Sequence, residues 1–201
     1  MTAMILEDKN MRPFTGPFDW VRGSNFKDKI SFFLNDFSDF INKKYLSLCD
    51  DMRVDNDKNI YLNSKTNIYF VHDFLKTQSF EENFPLVKEK YLNRISQVTE
   101  KLKTCEKVLI VYLEEIIEES DKEIIQIMKE LNKKYKPITN GIDILYIRHN
   151  ENMKNDEFQI NRISQNVIIA ECFSKDCYNI PFNVKNANNV NKILDIFKLK
   201  S

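Results

Sequence analysis

Glycine is scarce in this chain of 201 residues, which holds only Gly16, Gly23 and Gly141. So few glycines cannot build a G-x-G-x-x-G turn or a Walker A loop, and nucleotide binding through those devices is excluded. Cysteine occurs four times, at 49, 105, 172 and 177, without the density of a secreted disulfide scaffold. Cys172 and Cys177 stand at a spacing used by zinc ligands, but no second Cys or His pair accompanies them, and His72 and His149 are far apart. No metal site and no cofactor are expected, and the thiols read as buried or half-buried groups in a reducing compartment. An excess of either charge is also lacking: 30 Lys+Arg balance 30 Asp+Glu. Nucleic acid is therefore not an expected partner, because neutralising phosphates needs a basic surplus. Long apolar runs are absent too. The longest, Val108 to Leu113, is strand-sized, far short of the ~20 residues of a membrane helix. The start, Met1 to Asp8, has neither the basic nor the apolar region of a secretion signal. A cytoplasmic protein without a membrane partner is expected.

What is present is ordinary globular material, with 42% hydrophobic, 30% charged and 12% aromatic residues. The length suits one domain, 1–201, with ample core. Asparagine and lysine are plentiful, which reads as the codon bias of an AT-rich genome. Residues 2–8 look like the end of a helix, and Arg12 to Trp20 packs two prolines and a glycine into a rigid turn-rich segment. Phe26, Ile30, Phe33, Phe37 and Phe40 step by three and four, the pattern of an amphipathic helix. Residues 58–71 predict a hairpin turning over Asn63-Ser-Lys-Thr66, and a long helix follows with Phe80, Phe84, Val87, Tyr91, Ile95, Val98 and Leu102 on one stripe.

The second half changes character. Lys107–Leu113, Ile142–Ile147 and Val167–Phe173 have the near-continuous apolar pattern of strands buried on both faces. Between the first two lies a helix capped by Asp121, carrying Ile124, Met128, Leu131 and Tyr135, and stopped by Pro137 and Gly141. A short strand over Phe158–Ile163 and a closing helix over Asn189–Phe197 complete the reading. Strand, helix, strand in that order implies a crossover and parallel pairing. The expected class is α/β: a central, mostly parallel sheet with flanking helices, Rossmann-like in the second half, plus a β-hairpin.

Four segments stand out chemically. In Gly16-Pro-Phe-Asp-Trp20 an acid and the single tryptophan adjoin a constrained loop; structurally, Phe18 and Trp20 would anchor core and Asp19 would cap a turn. In Val71-His72-Asp73-Phe74 a histidine follows an apolar strand, where ligands of open α/β sheets gather, and Asp73 could orient it. In Tyr146-Ile-Arg148-His149-Asn150 the Arg148 and His149 pair could bind an anion. The acidic run Glu114 to Glu119 is expected as a solvated loop or helix edge.

The first two segments gain meaning together. Thr2-Ala-Met-Ile-Leu6, Met11-Arg-Pro-Phe-Thr-Gly-Pro-Phe-Asp-Trp20, Asn35-Asp-Phe-Ser-Asp-Phe40, Tyr69-Phe-Val-His-Asp-Phe74 and Lys90-Tyr-Leu-Asn-Arg-Ile95 occur in that order, followed by the apolar strand Lys107–Leu113. The series resembles a bacterial family of domains of unknown function regarded as papain-like cysteine peptidases, closely over roughly the first 115 residues and loosely thereafter. The resemblance implies a thiolate nucleophile at a helix start, His72 as base and then acid, and Asp73 or Asp19 holding the imidazole. It further implies an oxyanion bound by backbone N–H groups at that helix start, and hydrolysis of an amide or ester in a small-molecule or peptide substrate. Trp20, Phe18 and Arg148 are the expected binding residues. The family's Gly-x-Asn-Cys turn and the strand before it would align upstream of Met1, and none of Cys49, Cys105, Cys172 and Cys177 takes that position. A chain beginning at Met1 is therefore expected to be truncated and inactive in the covalent step. The alternative is a non-catalytic α/β domain binding a small polar ligand, a sugar or a nucleotide, or a vestigial fragment.

Overall fold

The structure is a computed structural model and describes residues 2–50, 56–114, 119–135, 141–154, 157–173 and 188–197. Cys177 and the helix stop at Pro137 lie outside these residues. The chain is mixed α/β and divides into two compact units, Met1–Thr15 with Cys105–Ser201, and Gly16–Thr104.

The continuous unit holds β1 (Val21–Gly23), α2 (Phe26–Leu34), β2 (Leu46–Leu48), β3 (Lys58–Asn63), β4 (Ile68–Leu75) and α3 (Phe80–Thr104), after α1 (Thr2–Asp8) of the other unit. The predicted hairpin is real but forms the middle of a four-stranded antiparallel sheet, β1-β4-β3-β2. Its two added strands have three residues each, too short for periodicity to reveal them. Gly23 explains itself here. Its φ of +76° is left-handed, and a Cβ there would stand 2.1 Å from the Asn67 carbonyl oxygen.

Helix α2 starts at an Asn25 cap, whose side chain accepts from the Asp28 N–H at 2.7 Å. It ends earlier than the stripe of phenylalanines suggests. After Asn35, Asp36 takes a left-handed φ of 51°, and the Phe37 N–H reaches back to the Phe32 carbonyl at 2.8 Å. This is a Schellman stop with aspartate where glycine is usual, and the Phe32 and Phe37 rings stack across it at 6.1 Å. Phe37 and Phe40 thus enter the core from turns. The α3 stripe is also narrower than expected: Val87, Tyr91 and Leu102 are buried, while Phe84, Ile95 and Val98 are only half-buried.

The discontinuous unit is the Rossmann-like half. Strands β5 (Val108–Leu113), β6 (Ile142–His149) and β8 (Val167–Cys172) pair in parallel, and β7 (Phe158–Ser164) closes the sheet antiparallel in the order β5-β6-β8-β7. β6 and β8 have the expected burial, but β5 is half-buried because it is an edge strand. Helices α1 and α5 (Asn188–Phe197) contribute Ile5, Val190, Ile193 and Leu194 to a core with Leu113, Leu145, Ile147, Ile168 and Ala170. Alternation along β6 sends Ile142, Ile144 and Tyr146 to the other face, where α4 (Asp121–Tyr135) buries Ile124, Met128, Leu131 and Tyr135. The cap of α4 is Ser120, not Asp121. The Ser120 N–H donates to Glu123 at 2.9 Å while Ser120 Oγ accepts from the Glu123 N–H at 3.4 Å, a capping box. No helix among the described residues is long and apolar enough to cross a membrane.

Candidate active site

Strands β3 and β4 lose register at the point that matters chemically. Tyr61 pairs with Phe70 and Asn59 with Phe74, so the single residue Ile60 faces Val71, His72 and Asp73. The surplus residues make a bulge, a device that re-aims side chains and breaks simple alternation. His72 therefore lies inside an antiparallel strand, three residues before its end. The expectation drawn from open parallel sheets, a histidine beyond a strand's C-terminal end, does not hold.

The neighbouring edge of the sheet supplies Trp20. Val21 pairs with Phe70, so the chain entering β1 arrives beside the bulge. The Trp20 and His72 rings meet at 5.9 Å with planes at 89°, an edge-to-face contact. Just upstream, Asp19 Oδ2 accepts from the Gly16 N–H at 2.8 Å and closes a tight turn around Pro17 and Phe18. Phe18 points its ring into the aromatic core, 5.5 Å from Phe40 and 5.9 Å from Phe32, Phe33 and Phe37. It anchors the loop, while Trp20 joins the histidine.

Asp73 turns toward α3. Its side chain is fully buried and takes the Lys90 ammonium at 2.6 Å and the Tyr91 hydroxyl at 2.7 Å. Burial, and secondarily the Asp73 charge, pushes the Tyr91 hydroxyl well above its usual value of 10.0. The Arg94 guanidinium lies over the Tyr91 ring at 5.1 Å. The bulge is thus pinned from behind by three residues of Lys90-Tyr-Leu-Asn-Arg-Ile95. Their chemical role was not separable in the sequence, because a polar contact through one Tyr hydroxyl looks like any apolar stripe position.

Arg148 belongs to the other unit, at the end of β6. Its guanidinium meets Glu114 at 3.3 Å, Asp121 at 3.0 Å and Glu171 at 3.9 Å, and donates to the Glu119 carbonyl at 3.2 Å. Burial opposes its charge, but the hydrogen bond to Asp121 and the Glu114 charge outweigh that and raise its affinity for the proton. Glu114 and Glu119 are buried, not solvated as the acidic run suggests, and both approach the Tyr146 hydroxyl, at 2.8 and 3.2 Å. These groups gather because β5 and β6 run parallel in register, so both strands end at one side of the sheet. The companion His149 packs its ring 5.3 Å from Phe173.

No group of His, Cys, Asp and Glu among the described residues has the geometry of a metal site. Of the cysteines, Cys172 is buried, and Cys49 and Cys105 are half-buried. The Cys49 N–H bonds the Ile60 carbonyl on β3, which places its backbone two strand spacings, roughly 10 Å, from β4. No curated protein and no solved structure matches the chain. A family of protein domains does, over residues 1–152, the span that holds the Pro-Phe-Asp-Trp turn, the His72 bulge and the Lys90–Arg94 brace. The chain accordingly belongs to the family described as "Putative papain-like cysteine peptidase (DUF1796)".

Proposed function

We propose that the chain is a thiol acyl hydrolase of papain-like type in which His72 is the general base and Trp20 fixes the imidazole plane. The observation that carries this is the bulge: a costly irregularity in β4 presents a half-buried histidine against the single tryptophan. Between the two acids, Asp19 is assigned the orienting role, because Asp73 is committed to Lys90 and Tyr91. The thiol would pass its proton to His72 and attack the acyl carbon. The imidazolium would then protonate the leaving amine or alcohol, and a water deprotonated by His72 would release the acid. None of the chain's cysteines takes the family thiol position, which lies before Met1 by resemblance.

The test uses a form extended upstream to include the Gly-x-Asn-Cys turn, treated with a thiol-directed acylating probe. His72→Ala should abolish labelling, and Asp19→Asn should slow it and alter its pH profile more than Asp73→Asn does. Labelling and turnover unchanged by His72→Ala would overturn the assignment, and the small-polar-ligand reading would take its place.

A further inference from the structure

Away from His72, the continuous unit contains a half-open cavity of about 270 Å³ between α3 and the turns after α2. This is just under the ~300–1,000 Å³ of typical ligand clefts. Its walls are mixed: Phe84, Leu92 and Ile95 from one stripe of α3 make the apolar side, and Asp39, Asn42, Lys43 and Lys88 supply polar groups. Leu92 is 49% exposed and offers apolar surface at the mouth of the cavity. The lip is preformed. Asp36, Phe37 and Asp39 all hold left-handed φ angles of 51–60°, and Phe37 is fixed through its N–H to Phe32. A backbone held this way loses little freedom when a ligand enters.

Charge selects the ligand. Asp39 on the rim is neutralised by Lys65 and held by Asn42 at 2.7 Å, and Lys43 is committed to Glu81 and the Phe80 ring. Lys88, which also lines the cavity, has no ion pair or hydrogen bond among the described residues. The rim therefore carries one uncompensated positive charge over an apolar floor. We infer that this cavity binds an amphipathic monocarboxylate, its tail against Phe84, Leu92 and Ile95 and its carboxylate on Lys88. A single lysine suits one carboxylate, whereas a phosphate dianion would need more donors than the rim offers.

The probe is octanoate, with octylamine as the same tail bearing the opposite charge, followed by amide NMR and thermal shift on the full chain. Octanoate should bind saturably and shift amides in 37–43 and 84–95, and octylamine should not. Lys88→Glu and Leu92→Glu, both at exposed positions, should each weaken binding about tenfold or more while leaving the unfolding midpoint unchanged. Octanoate binding that is unaffected by Lys88→Glu, equal binding of octylamine, or no saturable binding at millimolar octanoate would overturn the inference. The result is independent of the His72 assignment, which is read by acylation.

Discussion

At the scale of single residues, the chain uses asparagine and aspartate where other proteins use glycine. Three asparagines, Asn63 and Asn83 buried and Asn132 half-buried, tie elements together. Asn83 accepts from the Leu75 N–H at 3.1 Å and donates to the Leu75, Gln78 and Ser79 carbonyls, locking the start of α3 to the end of β4. Asn132 does the same between α4 and β6, bonding both the N–H and the carbonyl of Ile142 at 2.8 Å. Asn63 donates to the Asp39 and Phe40 carbonyls. An amide with both donors and an acceptor satisfies backbone groups that turns leave orphaned in the interior. Compositional bias hid these roles, since abundance alone says nothing about which asparagine is buried. Asp36 is the complementary case, a residue with a Cβ in a left-handed cap. Asp36→Gly should raise stability by about 0.5–1 kcal/mol, the relief of left-handed strain less the added freedom of the unfolded chain. Urea midpoints check this, and a lower midpoint would mean that the aspartate side chain stabilises the cap.

At the scale of elements, the strands were legible where apolar residues ran long or alternated, as in β3, β4, β6 and β8. They were not legible in β1 and β2, which depend on partners for their hydrogen bonds. The β4 bulge was invisible for the same reason, because register belongs to a pair of strands. It decides the site, placing His72 by Trp20 and Asp73 on α3, so residues adjacent in sequence serve different neighbours. The bulge lies next to the close approach of β1 and the β3–β4 turn. Gly23→Ala should therefore break that approach and cost more than about 2 kcal/mol, through strain at positive φ and a clash with the Asn67 carbonyl. The Trp20–His72 contact should loosen with it. Chemical denaturation and the tryptophan emission spectrum read the two effects, and an unchanged spectrum would separate the indole from β1 pairing.

At the scale of the whole molecule, each unit buries one phenol against carboxylates, Tyr91 with Asp73 and Tyr146 with Glu114. Burial is the chief cause of the upward shift in both, and the adjacent acid adds to it. Below about pH 10 both folded and unfolded chains keep these protons and the groups contribute no pH dependence. Above it the unfolded chain releases them while the folded chain does not, so stability falls as pH rises. The slope is about 1.4 kcal/mol per pH unit for each tyrosine. Tyr91→Phe and Tyr146→Phe should each remove about one proton's worth of that slope. Urea titrations across this range and the phenolate absorbance test it; buried phenols ionising near pH 10 in the folded protein would contradict the shift.

By itself the sequence determined the class of the fold, the β3–β4 hairpin, the apolar strands of the second half and the residues that mark the family. Those properties are local or one-dimensional: periodicity, run length, turn chemistry and ordered motifs. Tertiary structure alone decided that β5 is an edge, that Glu114 and Glu119 are buried, that Asp73 braces α3, and that Trp20 rather than Phe18 meets His72. Each depends on which face or register a distant segment presents. Burial and hydrogen bonding are properties of pairs of segments, and no single segment of sequence carries them.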